Sequence, residues 1–156
     1  MRKYTIAAAL VFMLAGCVQV GGKDFPQATA GFTPKTVYTA SVDRAWAATI
    51  TTLNANSIGV VSTSKETGQI TTDYVTGPDE LIGLGIISGN HTRYRYTIFI
   101  SPRGNGHTAI NISPVLEVSQ TAQNGTTPFH DVSANNAETV AKLRMWLYEQ
   151  IEHSLS

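Results

Sequence analysis

The sequence predicts an α+β fold: a single antiparallel sheet of about five strands, in the order strand, helix, four strands, helix, with two helices on one face. Three patterns carry that expectation. Apolar residues recur at helical spacing over 42–53 and again over 140–151. Between these stretches, two pairs of extended, β-branched runs flank short Gly-containing turns. The apolar helical stripes need a sheet face to lie on, and the two hairpins provide one.

The chain opens with Met1-Arg2-Lys3 and an apolar run over 6–14, the n-region and h-region of a secretory signal. That run is too short to span a bilayer. Leu14-Ala15-Gly16-Cys17 then resembles the bacterial lipobox, at which the cysteine is lipidated and becomes the mature N-terminus. Cys17 is the sole cysteine, so no disulfide forms within the chain, and lipidation accounts for a residue that would otherwise be left over. The resemblance implies a diacylglycerol and an N-acyl chain such as palmitate on Cys17, with no other cofactor. Each buried methylene contributes about 0.8 kcal/mol, and two or more chains hold a protein stably in the lipid leaflet. Val18 rather than an Asp follows the cysteine, which favours the outer membrane over retention in the inner one.

The expected division is a signal peptide over 1–16, a lipidated N-terminus and flexible tether over 17–34, and one domain over 35–156. Residues 18–34 (VQVGGKDFPQATAGFTP) have no period of either kind. Phe25 and Phe32 are the unusual members. They are either isolated linker aromatics or a short peptide that docks on its own domain or on a partner.

Residues 35–40 (KTVYTA) have the β-branched and aromatic content of a short strand. Ser41 can cap a helix with Asp43 in its first turn, and Val42, Trp46, Ile50 and Leu53 fall on one helical face as core. Residues 58–64 and 69–75 are extended runs joined by Lys65-Glu66-Thr67-Gly68. There Ile58 and Val60 are expected to face Ile70 and Tyr74 on the buried side. The runs 91–102 and 107–118 form the longest pair. Ile98, Ile100, Ile110 and Ile112 must share the core face, so a three-residue Gly104-Asn105-Gly106 loop pairs Ile98 with Ile112 and Ile100 with Ile110. The same register sets Arg93 opposite Glu117 on the outer face, a solvated pair worth well under about 1 kcal/mol. Pro114 places the second strand at an edge or a bulge.

Residues 78–90 (PDELIGLGIISGN) are apolar through Leu81, Ile82, Leu84, Ile86 and Ile87, yet interrupted by glycines that disfavour helix and strand. The stretch reads as a loop, folded on its own core or contacting a partner or a lipid surface. Residues 120–131 read as a polar loop. From 133 to about 153 the pattern is helical, with Val140, Leu143, Leu147 and Ile151 on the packed stripe and Met145, Trp146 and Tyr148 beside it. Trp146 is also a candidate partner anchor.

The chain carries 11 basic and 11 acidic residues; loss of Arg2 and Lys3 with the signal leaves a mature charge of about −2, which does not suggest nucleic acid. The four histidines lack metal-ligand spacing, and no nucleophile elbow, usable thiol or phosphate-cradling loop is present. Asp79-Glu80 and the Glu149/Glu152 pair read as solvated surface. No catalysis and no metal are therefore expected.

V-Y-T-A-S-V-D-R-A-W at 37–46, G-V-V at 59–61, K-E-T-G-Q-I at 65–70 and W-L at 146–147, taken with the element order, resemble the BamC-like envelope lipoproteins. The resemblance covers roughly 35–155 and implies a helix-grip or TATA-binding-protein-like domain. It implies a lipoprotein anchored in the outer-membrane leaflet through Cys17, facing the periplasm and binding envelope proteins in outer-membrane protein assembly or a secretion machine. The alternative is a small-ligand or lipid binder with a cavity between the long helix and the sheet, closed by the apolar loop. The oligomeric state is not readable from the sequence.

Overall fold

A computed structural model describes residues 24–81, 89–122 and 124–156. Leu14, Ala15, Gly16 and Cys17 lie outside the described residues, as do Ile82, Leu84, Ile86 and Ile87. In chain order the elements are β1 (Val37–Thr39), α1 (Val42–Ala55), β2 (Val60–Ser64), β3 (Gln69–Thr72), β4 (Val75–Thr76), β5 (Glu80–Leu81), β6 (Gly89–Gly104), β7 (His107–Ala122), β8 (Gly125–Thr126), β9 (His130–Asp131), a 3₁₀ turn (Ser133–Asn136) and α2 (Ala137–Leu155).

The class is α+β with one open antiparallel sheet and two helices, but the sheet has nine strands among the described residues rather than about five. Five follow the path β1-β7-β6-β3-β2, and the other four are two-residue strands, β4 and β5 on β6, β8 and β9 on β7. The cause is length. Strands of 16 residues rise roughly 50 Å and outrun their neighbours. Their overhanging backbone groups then take short partners from segments that read as loop. This is why 120–131, expected to be irregular, carries the end of β7 together with β8 and β9.

The long hairpin adopts the expected register, with Ile98 opposite Ile112, Ile100 opposite Ile110 and Arg93 opposite Glu117. At its tip Gly104, Asn105 and Gly106 all have positive φ, and the register shifts between Pro102 and Gly104. On the even-numbered face Tyr94, Tyr96, Ile98, Ile100, Ile110, Ile112 and Leu116 are buried with both helices in one core. From α2 come Val140, Leu143, Leu147 and Ile151, the expected stripe. The α1 stripe is rotated from expectation: Ala45, Ala48, Thr49, Thr52 and Leu53 are buried, while Val42, Trp46 and Ile50 flank the core half-buried. Small residues at the centre let α1 sit close to the sheet and to α2, so the large ones spread to the sides. Ser41 Oγ caps the helix by accepting the Arg44 N–H at 3.2 Å.

Ile58 and Ile70 are buried as expected, but two one-residue slips overturn the expected face of Val60 and Tyr74. β2 pairs Thr63 with Ile70 and Ser62 with Thr71, but Val60 with Thr72, so Val61 is the extra residue and lies 64% exposed. Val60 is itself exposed at the sheet edge rather than buried opposite Tyr74. A second slip separates β3, where Thr71 pairs with Thr97, from β4, where Val75 pairs with Tyr94. A slip of one residue sends the following side chains to the opposite face. Tyr74 is therefore on the outer face, away from the core. The gap is closed from inside: buried Thr72 accepts the Tyr96 N–H at 2.9 Å and donates to the Asp73 carbonyl at 2.9 Å.

Pro114 does lie on an edge. β1 covers residues 107–109 of β7 and β9 pairs with Glu117 and Val118, leaving the stretch between without a strand on that side. Each backbone N–H on that side is nonetheless met. Ile110 N–H goes to the Thr36 carbonyl, Ile112 N–H to the Tyr148 hydroxyl, Leu116 N–H to Ser133 Oγ, and Pro114 has none to give. Tyr148 in turn donates to the Ile110 carbonyl at 3.0 Å. Tyr148→Phe should strand two buried backbone groups and cost about 1–3 kcal/mol in urea melts. A loss below a few tenths would show that water replaces the hydroxyl.

Of the expected tether, residues 24–34 lie against the domain. Phe25 packs on Tyr94 with ring centroids 6.0 Å apart, and Phe32 is half-buried against the core. Thr29 N–H donates to Glu149 Oε2 at 3.0 Å, and Lys35 pairs with Glu152 at 3.0 Å. Glu149 is therefore buried under the segment, not solvated, and the hydrogen bonds from Thr29 hold its carboxyl below the usual glutamate range. The docking reading of the two phenylalanines, on their own domain, is the one that fits these contacts.

Candidate functional site

The outer sheet face, opposite the two helices, carries a cluster that the register assembles from four separate segments. Arg93 and Arg95 alternate on β6 and Glu117 faces Arg93 from β7. Tyr74 arrives through the slip before β4, and Phe129 through β9, whose Asp131 pairs with Glu117 on the far side of β7.

Arg93 is the centre. Its guanidinium carbon lies 3.8 Å from the Tyr74 ring centroid and 4.0 Å from that of Phe129, a stack on both faces. Its Nε donates to Glu117 Oε2 at 2.7 Å, with Nη2 at 2.6 Å from the same oxygen. Tyr74 donates its hydroxyl to Glu117 Oε1 at 2.7 Å. The pair expected to be solvated is therefore mostly shielded, with side-chain exposures of 32% for Arg93 and 13% for Glu117. The two rings against the guanidinium reduce its contact with water, so the attraction is screened less than at an open surface.

Burial pushes the Glu117 carboxyl up, but hydrogen bonds from Tyr74 and Arg93, aided by the charges of Arg93 and Arg95, outweigh it and leave the group below the usual range. Because protonation is harder in the folded chain than in the unfolded one, the contribution is present above the ordinary glutamate value and lost as pH falls through the depressed one. Glu117→Gln should cost about 1–3 kcal/mol at neutral pH and less below about pH 4. A loss independent of pH would mean that the charge is not what matters.

Arg95 sits beside this unit, its guanidinium carbon 5.0 Å from the Tyr74 ring. Further along the same face Thr97 and Phe99 pair with Ser113 and Asn111, and Phe99 is 40% exposed. At the overhanging end, His91 Nδ1 lies 3.3 Å from Asp79 Oδ1 and Nε2 lies 3.1 Å from Thr121 Oγ1. No group of three or more His, Cys, Asp or Glu stands at metal-binding geometry among the described residues. No helix of the described residues is long and apolar enough to cross a membrane.

Of the residues expected to contact a partner, Leu81 has its backbone in β5 and Trp146 is half-buried on α2, packed against the core. They are not brought together with Arg93 or Tyr74. Sequence reasoning found the Arg93–Glu117 pair but missed Tyr74, Arg95 and Phe129. The available signal was a second arginine at outward position 95, set by the register opposite Val115 rather than an acid, which a plain ion-paired face does not need.

The fold and this surface define an α+β domain whose open sheet face bears a half-buried arginine–aromatic cluster. No protein-family model matches the chain, and no curated protein sequence matches it.

Proposed function

We propose that the chain is a non-enzymatic outer-membrane lipoprotein, anchored by acyl chains on Cys17, whose domain works at the periplasmic face as a protein-interaction module. Outer-membrane protein assembly or an envelope secretion machine is the setting. The observation that carries this reading is the outer sheet face, where Phe99 and Phe129 are exposed beside the half-buried Tyr74, Arg93 and Arg95, with no helix over them among the described residues. Aromatic and arginine side chains are the types enriched where proteins meet. The resemblance to BamC-like lipoproteins and their helix-grip shape supports the same reading.

Phe25 also lies close to Gly77, at the end of the sheet where β5 pairs with the start of β6. The apolar stretch containing Leu81, Ile82, Leu84, Ile86 and Ile87 is, on its sequence pattern, a second candidate contact for a partner. The carrier alternative is disfavoured because the layer between α2 and the sheet is filled by Tyr96, Leu143, Leu147 and Ile151, all without exposure.

Cys17→Ser should release the protein from the membrane fraction, and the native form should fractionate with the outer membrane. Recovery in inner-membrane vesicles would sink the sorting. A photo-crosslinker at Phe99 should capture a small set of envelope proteins that the same group at Arg144 on α2 does not. Capture of only bulk lipoproteins from both positions would count against the interaction module.

A further inference from the structure

We propose that Arg95 is the seat for a carboxylate of the partner polypeptide on the open sheet face. The inference rests on the interaction-module reading and adds the chemistry of the partner. Arg93 and Arg95 are two residues apart on one strand and share a face, but only one of them is satisfied. Arg93 gives its Nε and Nη2 to Glu117. The Arg95 guanidinium takes part in no hydrogen bond or ion pair among the described residues, and its Nε is shut off from solvent without an acceptor.

The neighbouring carboxylates of Glu117 and Asp131 feel the charge of Arg95 but take their hydrogen bonds from other donors. Glu117 Oε1 takes the Tyr74 hydroxyl at 2.7 Å while its Oε2 takes Arg93, and Asp131 Oδ1 takes the Ser133 N–H at 2.8 Å. The two Nη groups of Arg95, unlike Nε, are open to solvent and take no acceptor among the described residues, so an incoming carboxylate meets the guanidinium end-on there. The Tyr74 ring to one side and Val115 directly opposite on β7 keep the surroundings apolar, which suits the planar two-oxygen match of carboxylate and guanidinium. From Arg95 the face runs uncharged through Thr97 to Phe99, four residues on and so about 13 Å away. An extended polypeptide with an acidic side chain and an aromatic one at that spacing matches both points, which a compact headgroup does not.

The test uses the full-length, nitrogen-15-labelled chain in detergent micelles and follows the Arg95 Nε–H resonance. The probes are the capped peptide Glu-Thr-Ser-Thr-Phe, its counterpart with Gln in place of Glu, and inorganic phosphate. The Glu peptide should shift that resonance saturably, and the Gln peptide should bind about tenfold more weakly or worse. Arg95→Gln should abolish the response, Arg95→Lys should weaken it about tenfold because the fork is lost while the charge stays, and Arg144→Gln should leave it unchanged. The proposal is overturned if the Glu peptide gives no saturable shift, if the Gln peptide binds equally, or if phosphate saturates the site as tightly as the Glu peptide. A specific crosslinked partner at Phe99 with no peptide response would sink the Arg95 seat alone. A peptide response with only bulk lipoproteins crosslinked would sink the interaction module instead.

Discussion

Gly68→Ala is expected to destabilise the domain by about 2–5 kcal/mol and to lower Tm by on the order of 10 °C. Two separate causes add. Gly68 has φ +69°, where an added Cβ costs about 1–2 kcal/mol. That Cβ would also fall inside the contact radius of the Ile100 carbonyl oxygen. The strand cannot step aside, because the Ile100 N–H donates to the Gly68 carbonyl at 2.8 Å, and Ile100 is itself buried in the core opposite Ile110. The substitution therefore strains the junction between β3 and β6 that holds the first hairpin to the rest of the sheet. Gly104 separates the two causes. Its φ is +79°, yet nothing lies within 4 Å of a Cβ there, so Gly104→Ala should cost only about 1–2 kcal/mol. Equal losses in urea melts of the two variants would show that close approach is not the cause at Gly68.

Alkaline pH should unfold the domain abruptly. Tyr38, Tyr74, Tyr94, Tyr96 and Tyr148 all have phenols held above the ordinary value near 10. Burial is the main cause for Tyr38, Tyr94, Tyr96 and Tyr148, with Glu152 adding at Tyr38 and the Tyr94 phenol adding at Tyr96. For Tyr74 it is the hydrogen bond to Glu117. The sign follows from linkage. A phenol that stays neutral in the folded chain while the unfolded one ionises contributes stability below the ordinary value, and that stability is lost as pH rises above it. Tyr38 and Tyr96, whose phenols are raised furthest, at about 1.4 kcal/mol per pH unit each together remove roughly 3 kcal/mol per unit above pH 10, enough to consume a typical domain's stability within about two to three units. Tyrosinate absorbance should stay low past pH 10 and then rise together with loss of circular dichroism. Gradual ionisation of several phenols with the dichroism unchanged would refute this.

Much of the frame was legible because it depends on local pattern. Ile98, Ile100, Ile110 and Ile112 can share a face in only one parity, and the Gly-Asn-Gly turn selects one register from that parity, so the long hairpin could be aligned residue by residue. The α2 stripe of Val140, Leu143, Leu147 and Ile151 follows from the helical period alone. The first hairpin was not legible to the same depth. Val61 and the Asp73–Tyr74 junction each shift the pairing by one residue, and no residue type in VVSTS or TTDYV marks a bulge as glycine would. The face of Tyr74 could therefore not be read from alternation.

The candidate surface divides in the same way. The opposition of Arg93 and Glu117 came from register, but its shielding came from Tyr74 and Phe129, which reach it from segments 19 residues before and 36 after Arg93 in the chain. A pair on an outward face is exposed unless something distant covers it, and covering is a tertiary property.

By itself the sequence determined the fold class, the alignment of the long strands, the packed stripe of α2, and the expectation of a lipid anchor at Leu14-Ala15-Gly16-Cys17, because each depends on residue type at short spacing. Only the tertiary structure decided that the sheet gains β4, β5, β8 and β9, that residues 24–34 lie against the domain, and that Arg93 is enclosed while the Arg95 guanidinium is left without an acceptor. Those outcomes depend on which backbone groups remain unpaired once the long strands have formed, and on which distant segments are within reach to pair with them.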